Sequence, residues 1–121
     1  MKKEIEGMED IRMLVDSFYS RVRNDEMLGP VFNERIRDWP KHLETMYRFW
    51  QTLLLHEQSY KGAPFPKHAD LPVNAHHFDR WITLFHQTVD EYYEGAVAEE
   101  AKFRSLRIAE VFRYKLGLVH F

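Results

Sequence analysis

The chain is predicted to fold as a single all-α domain of four main helices, and three observations predict it. Apolar residues recur in steps of three and four through four long segments. No stretch alternates apolar and polar residues over a useful length, so no strand is expected. Prolines and glycines fall at segment ends or between segments, where helices stop. A chain of 121 residues suits one compact core.

The first helix is read from "EDIRMLVDSFYSRVRND", where Ile11, Leu14, Val15, Phe18 and Val22 share one face. Asp10 is its expected cap, and "LGP" at 28–30 ends it, with Pro30 opening a short turn around Phe32. A second helix starts near Trp39–Pro40, with Asp38 as cap and proline in the first turn. Its inner face carries His42, Met46, Phe49, Trp50 and Leu53, and it runs to about His56. The third starts near Asn74 and aligns Phe78, Trp81, Ile82, Phe85, Val89 and Tyr92. Gly95 interrupts, and a last helix over about 97–116 turns Ala101, Ile108, Ala109, Phe112 and Leu116 inward, with Gly117 as its stop. Residues 1–8 read as a flexible leader to a single domain over 9–121.

Composition narrows the function. At 45% hydrophobic and 30% charged, the chain is globular and not disordered. Nine Phe, six Tyr and three Trp exceed what a plain bundle needs, which leaves either an aromatic core or a pocket for a flat ligand. A net charge of −2 with both signs interspersed gives no basic stripe, so no nucleic-acid partner is expected. Cysteine is absent, which excludes disulfides, thiol catalysis, iron–sulfur clusters and covalent cofactor attachment through C-x-x-C-H. "MKKEIEGMED" lacks an apolar signal region and no run approaches a membrane span, so a soluble cytoplasmic protein with no membrane partner is expected.

Seven histidines stand at positions 42, 56, 68, 76, 77, 86 and 120. None follows a Glu-x-x-His or His-Glu-x-x-His pattern, which argues against di-iron and zinc-protease chemistry. The serines sit in no glycine-flanked elbow, and five scattered glycines form no phosphate-cradling loop. Tyr19, His42 and Trp81 are different: three hydrogen-bonding side chains project from three helices towards one interior. Buried without partners, each would cost roughly 1–3 kcal/mol. An ordinary core with polar tips is the alternative for these three.

The stretch "GAPFPKHADLP" at 62–72 sharpens the choice. Pro64, Pro66 and Pro72 forbid a long helix, yet His68 sits in their midst. It is either a loop histidine facing water or an imidazole held at a set angle. One histidine outside the long helices suits a single axial ligand to a flat cofactor, since haem iron needs one protein nitrogen on its proximal side. Tyr19, His42 and Trp81 would then be distal donors, and Phe32, Met46, Phe49 and Trp50 apolar walls.

With those residues assembled, the chain resembles the truncated haemoglobins, most closely their group III. The matching blocks are "LVDSFYSRV", "LGPVF", "WPKHLETMYRFW", "YKGAPFPKHADLP" and "HFDRWITLF", together covering about residues 11–90. The glycine-pair motifs of other truncated globins are absent, as this group predicts. The resemblance implies a two-over-two helical sandwich around non-covalent haem b, with His68 as the proximal iron ligand. It implies Tyr19 and Trp81 as distal donors and His42 as a distal histidine that acts partly as a gate. Phe32 matches the aromatic on the haem edge, Phe49 and Trp50 the pair lining the cavity, and Phe78 a residue beside the haem. Met46 joins the walls, and Lys67 and Tyr60 are candidates for the propionate side.

The expected function is binding of oxygen and other diatomic ligands (CO and NO) at a haem iron able to take six ligands. Each donor to a partly negative ligand is worth about 1.4 kcal/mol, or about tenfold in dissociation rate. Two or three donors would hold oxygen longer than transport wants, which favours peroxidase-like or nitric-oxide-converting chemistry as an alternative. Such turnover needs an electron-donating reductase, because the chain has no flavin or nicotinamide motif. A cofactor-free helical interaction module is the third reading.

Overall fold

The structure, a computed structural model, describes residues 2–56 and 74–115. Five helices are described: α1 (Met8–Asn24), α2 (Gly29–Arg35), α3 (Trp39–Leu55), α4 (Ala75–Tyr92) and α5 (Ala96–Lys115). The 62–72 stretch lies outside the described residues, and with it Lys67 and His68; so do Tyr60, Leu116 and Gly117.

Helix α1 lies against α3, and α4 against α5; the first pair stacks on the second through α1 on α4 and α3 on α5. This is the two-over-two arrangement of helix pairs, and the short α2 packs on α1. Ile11, Leu14, Val15, Phe18 and Val22 are all buried, as their spacing predicts. On α4, Phe85 and Val89 are buried as expected, while Phe78, Trp81, Ile82 and Tyr92 stay partly exposed. Small residues line the inner face of α5, where Ala98, Ala101, Ser105 and Ala109 are buried. They let α4 approach closely.

The helix ends follow local chemistry. Asp38 caps α3 as expected, its carboxylate accepting the Lys41 N–H at 3.1 Å, and Pro40 occupies the first turn. The α3 end closes on His56 in the left-handed region at φ 59°. Asn74 caps α4 by accepting from the His76 and His77 N–H groups at 2.9 and 3.3 Å. Between α1 and α2, Asp25 accepts from the Met27 and Leu28 N–H groups, both at 3.0 Å, and from Arg80 Nε at 2.7 Å. Desolvation pushes its carboxyl up, but these donors together outweigh it and hold the group below the ordinary carboxylate range. Gly29 starts α2 where a Cβ would lie 2.8 Å from the Arg23 carbonyl oxygen, so no larger residue fits without a shift.

Two expectations are corrected at the N-terminus. Asp10 is not the N-cap of α1, because the helix already begins at Met8. Its carboxylate acts from the first turn instead, accepting the Glu6 and Gly7 N–H groups at 2.9 and 3.3 Å. The segment before α1, expected to be loose, is packed. Ile5 is 1% exposed, and the Lys3 carbonyl accepts the Glu94 N–H at 2.9 Å. Glu4 reaches the start of α5, where its carboxylate accepts the Val97 and Ala98 N–H groups at 3.1 and 3.0 Å. A carboxylate there satisfies donors that the helix leaves open. Gly95 beside it has φ 112°, and a Cβ at that position would collide with the Glu4 carboxylate. The residue types hid this role: a "KKEIEG" segment reads as solvated unless the open end of α5 is known.

Candidate functional site

Tyr19 anchors the candidate site. It lies one position past Phe18 on α1 and is 5% exposed. Among the described residues its ring meets four others: Phe18 at 5.0 Å, His42 at 5.1 Å, Trp39 at 5.8 Å and Phe32 at 6.5 Å between centroids. The His42 ring stands at 89° to it, an edge-on contact. Among the described residues, no donor or acceptor meets the Tyr19 hydroxyl. Burial pushes its pKa well above the ordinary phenol value, so the group stays a neutral O–H donor throughout the physiological range.

Below Tyr19 the pocket rests on an aromatic stack. Phe85 is fully buried and lies nearly parallel to Trp50, at 4.9 Å and 18°, and to Trp81, at 5.8 Å and 12°. Phe18 meets both Phe85 and Trp81 edge-on, at 5.1 and 5.6 Å. Phe18 therefore joins the Tyr19 group to the Trp81 group. Three elements supply this cluster, because Phe18 comes from α1, Trp50 from α3, and Trp81 and Phe85 from α4.

The expected wall residues are distributed as follows. Phe32 on α2 and Met46 and Trp50 on α3 are buried in the common core. Phe49 packs edge-on against Trp50 at 5.5 Å and is partly exposed. Phe78 is partly buried on α4 with the Arg113 guanidinium 5.7 Å above its ring. Arg113 is itself paired with Asp79. His68, Lys67 and Tyr60 lie outside the described residues, so the proximal and propionate assignments rest on sequence. Among the described residues, no three His, Asp or Glu side chains converge as a metal site.

Two contributors were not singled out from sequence. Trp39 lies three residues before His42, one helical turn away on the same face, and packs edge-on against it at 5.7 Å. That spacing was the available signal. Arg23 lies over the Trp39 ring, 4.4 Å from its centroid. A groove of about 630 Å³ opens here between α1 and α3, with Tyr19, Arg23, Asn33, Trp39 and Leu43 among its lining. It runs from solvent to Tyr19. Tyr47, also in its lining, donates to Asp16; burial, then that carboxylate, push its hydroxyl up to about 12.

The bacterial-like globin family model matches residues 3–112, nearly the whole chain. The chain belongs to the bacterial-like globin family. This globin is 35% identical over 125 residues to a group 3 truncated hemoglobin of Campylobacter jejuni, covering 97% of this chain and 98% of that protein. Its structure superposes on the crystal structure of a group III truncated hemoglobin from the same organism with a TM-score of 0.86. That match has 35% identity and covers 96% of this chain and 95% of the other. The two-over-two architecture is thus the truncated globin fold, as the five sequence blocks implied. Family membership implies haem as cofactor and small gaseous ligands. The pocket suits such a group on its distal side: Tyr19, a buried residue whose hydroxyl has no protein partner among the described residues, stands in an aromatic surround. Among the described residues, no helix is long and apolar enough to cross a membrane.

Proposed function

We propose that this globin holds haem b non-covalently through His68 and binds a diatomic ligand, oxygen first, beside Tyr19. The observation that carries the reading is Tyr19, 5% exposed among aromatic rings and lining the groove, with no protein partner for its hydroxyl among the described residues. A buried donor left without a partner costs about 1–3 kcal/mol, and a ligand accepting from it recovers that cost. When bound, the haem supplies iron with one coordination position open to a small ligand. Tyr19 donates a hydrogen bond to whatever partly negative ligand occupies the pocket, because its proton is retained. Trp81, packed against Phe18 and Phe85, offers an indole N–H that cannot ionise away. His42 stands against Tyr19 and Trp39 near the solvent groove, a position suited to gating entry. Phe32, Met46, Phe49, Trp50 and Phe78 keep water out, and Lys67 and Tyr60 serve the propionate side.

The absorption spectrum of the purified protein in ferric, ferrous and carbonmonoxy forms tests this. A strong Soret band is expected, lost or displaced in His68→Ala. A colourless chain that resists reconstitution, or a variant with an unchanged spectrum, would overturn the assignment. The Tyr19–His42 pair, with Trp81 one ring away through Phe18, favours a second reading, in which slow ligand release serves turnover of peroxide or nitric oxide with a cytoplasmic reductase. Steady turnover with a defined reductant separates it from binding alone.

A further inference from the structure

The groove between α1 and α3 has a charge direction along its length. The two helices run antiparallel there, because Tyr47 donates to Asp16 at one end and Arg23 lies over Trp39 at the other. On α1, Asp16, Ser20 and Arg23 line the groove at helical spacing; on α3, Tyr47, Leu43 and Trp39 do so in the opposite sense. Seven positions of helix separate Asp16 from Arg23, about 10 Å along the axis. Among the described residues, Arg23 is the sole cation in this lining and Asp16 the sole carboxylate. One end is therefore positive and the other negative, with Leu43 and Tyr19 between them.

Both ends keep bonding capacity that the described residues do not use. The Arg23 guanidinium lies 4.4 Å from the Trp39 ring centroid and pairs with no carboxylate among the described residues. The ring fixes the group in place and leaves it N–H donors, a fork that matches a carboxylate. The carbonyls that end α1 disfavour an anion, but two of them are already answered. Ser20 O accepts from Asn24 Nδ2 at 2.7 Å, and Arg23 O from Asn33 Nδ2 at 3.1 Å. The same end meets the first turn of α3 at Trp39, where the helix dipole favours negative charge. At the far end, Asp16 accepts from Tyr47 through Oδ1, and its second oxygen accepts from nothing among the described residues.

We propose that this groove is a binding site for a small organic monocarboxylate with a flat apolar middle and a hydroxyl at its far end, of the hydroxyphenyl-carboxylate class. The carboxylate pairs with Arg23, the ring lies along Leu43 and Tyr19, and the hydroxyl donates to Asp16. The groove volume of about 630 Å³ falls within the roughly 300–1,000 Å³ of small-molecule sites. A polyanion is disfavoured, since one cation faces it and Asp16 repels it. A cation is repelled by Arg23. The site needs no haem and stands independently of the reading of His68.

Nitrogen-15 NMR titration of the full chain tests this, under carbon monoxide so that any haem iron has no position open to a carboxylate. Circular dichroism verifies that each variant folds. 4-Hydroxyphenylacetate should saturate with a Kd of about 1 mM, as befits so small a ligand in an open groove. It should move the Trp39 indole N–H signal and the Ser20 and Arg23 amide signals. The uncharged 4-hydroxyphenylacetamide should bind the parent roughly tenfold more weakly, and Arg23→Gln should weaken 4-hydroxyphenylacetate by a similar factor. Arg107→Gln, which removes an exposed cation from α5, should leave binding unchanged. Phenylacetate, which lacks the hydroxyl, should bind the parent about threefold more weakly than 4-hydroxyphenylacetate, and Asp16→Ala should abolish that difference. No saturable shift up to about 20 mM would overturn the proposal. So would an amide that binds as tightly as the acid, or Arg23→Gln binding like the parent. Equal weakening in Arg107→Gln would reduce the effect to overall charge and overturn it too, as would a hydroxyl preference that survives in Asp16→Ala.

Discussion

Replacing Tyr19 with Phe should move stability and ligand retention in opposite directions. Tyr19 is 5% exposed, and among the described residues nothing hydrogen-bonds to its hydroxyl. Its removal leaves the ring contacts to Phe18, Phe32, Trp39 and His42 in place. Burying an unpartnered hydroxyl costs about 1–3 kcal/mol, so Tyr19→Phe should raise the cofactor-free chain's unfolding free energy by about 1 kcal/mol. The ligand-loaded protein loses a donor. At about 1.4 kcal/mol for one such bond, oxygen dissociation should accelerate about tenfold. Urea denaturation gives the first quantity and stopped-flow displacement of oxygen by carbon monoxide the second. A variant destabilised by more than about 1 kcal/mol would mean that the hydroxyl serves the fold. An unchanged dissociation rate would mean that it does not face the ligand. Either result refutes the reading of Tyr19 as a donor held for a guest.

Trp81→Phe keeps a ring against Phe18 and Phe85 but removes the indole N–H; oxygen dissociation should quicken several-fold with stability changed by less than about 1.5 kcal/mol. Phe85→Ala removes the centre of the stack and should cost about 3–5 kcal/mol in denaturant titrations. A loss under about 1 kcal/mol would show that the surrounding rings collapse without strain. Glu4→Ala strips the acceptor from the Val97 and Ala98 N–H groups and should cost about 1–2 kcal/mol, with amide exchange quickened at the start of α5. Alkali should destabilise the chain. Burial, followed by the Asp10 and Asp16 charges, pushes Tyr93 and Tyr47 each up to about 12 from an ordinary 10.0, and burial raises Tyr19 further. Groups that hold their protons more tightly when folded contribute stability below pH 10 that is lost as pH rises towards 12. The urea midpoint should fall across that window, with a shallower slope in Tyr93→Phe; a flat profile would contradict the assignment.

Much of this was legible in the sequence because helix periodicity and side-chain chemistry are local properties. The α1 stripe, the Asp38 cap, the start of α4 near Asn74 and the placing of Tyr19, His42 and Trp81 on three helices all follow from residues a few positions apart. What escaped depends on distant partners. Glu4 meets α5 across some ninety residues of sequence, and no spacing rule reports that. Phe85 reads as one more core residue until the structure stacks Trp50 and Trp81 against it. Arg23 over Trp39 joins two helices and leaves no trace in either segment alone.

The stack also explains why the donors and the core are hard to separate by mutation. Phe18 touches Tyr19, Trp81 and Phe85 at once, so it transmits any displacement of the core to both proposed donors. A close-packed interior responds to a lost ring by partial collapse, not by a uniform small shift. Phe18→Leu should therefore cost stability and change ligand kinetics together, whereas Tyr19→Phe should trade one against the other. Comparing the two in one pair of assays separates positioning from donation. If Phe18→Leu lowers stability by about 1–2 kcal/mol yet leaves ligand dissociation at the parent rate, the distal donors are held independently of the stack. Their geometry would then have to be set from α3, through Trp39 and His42.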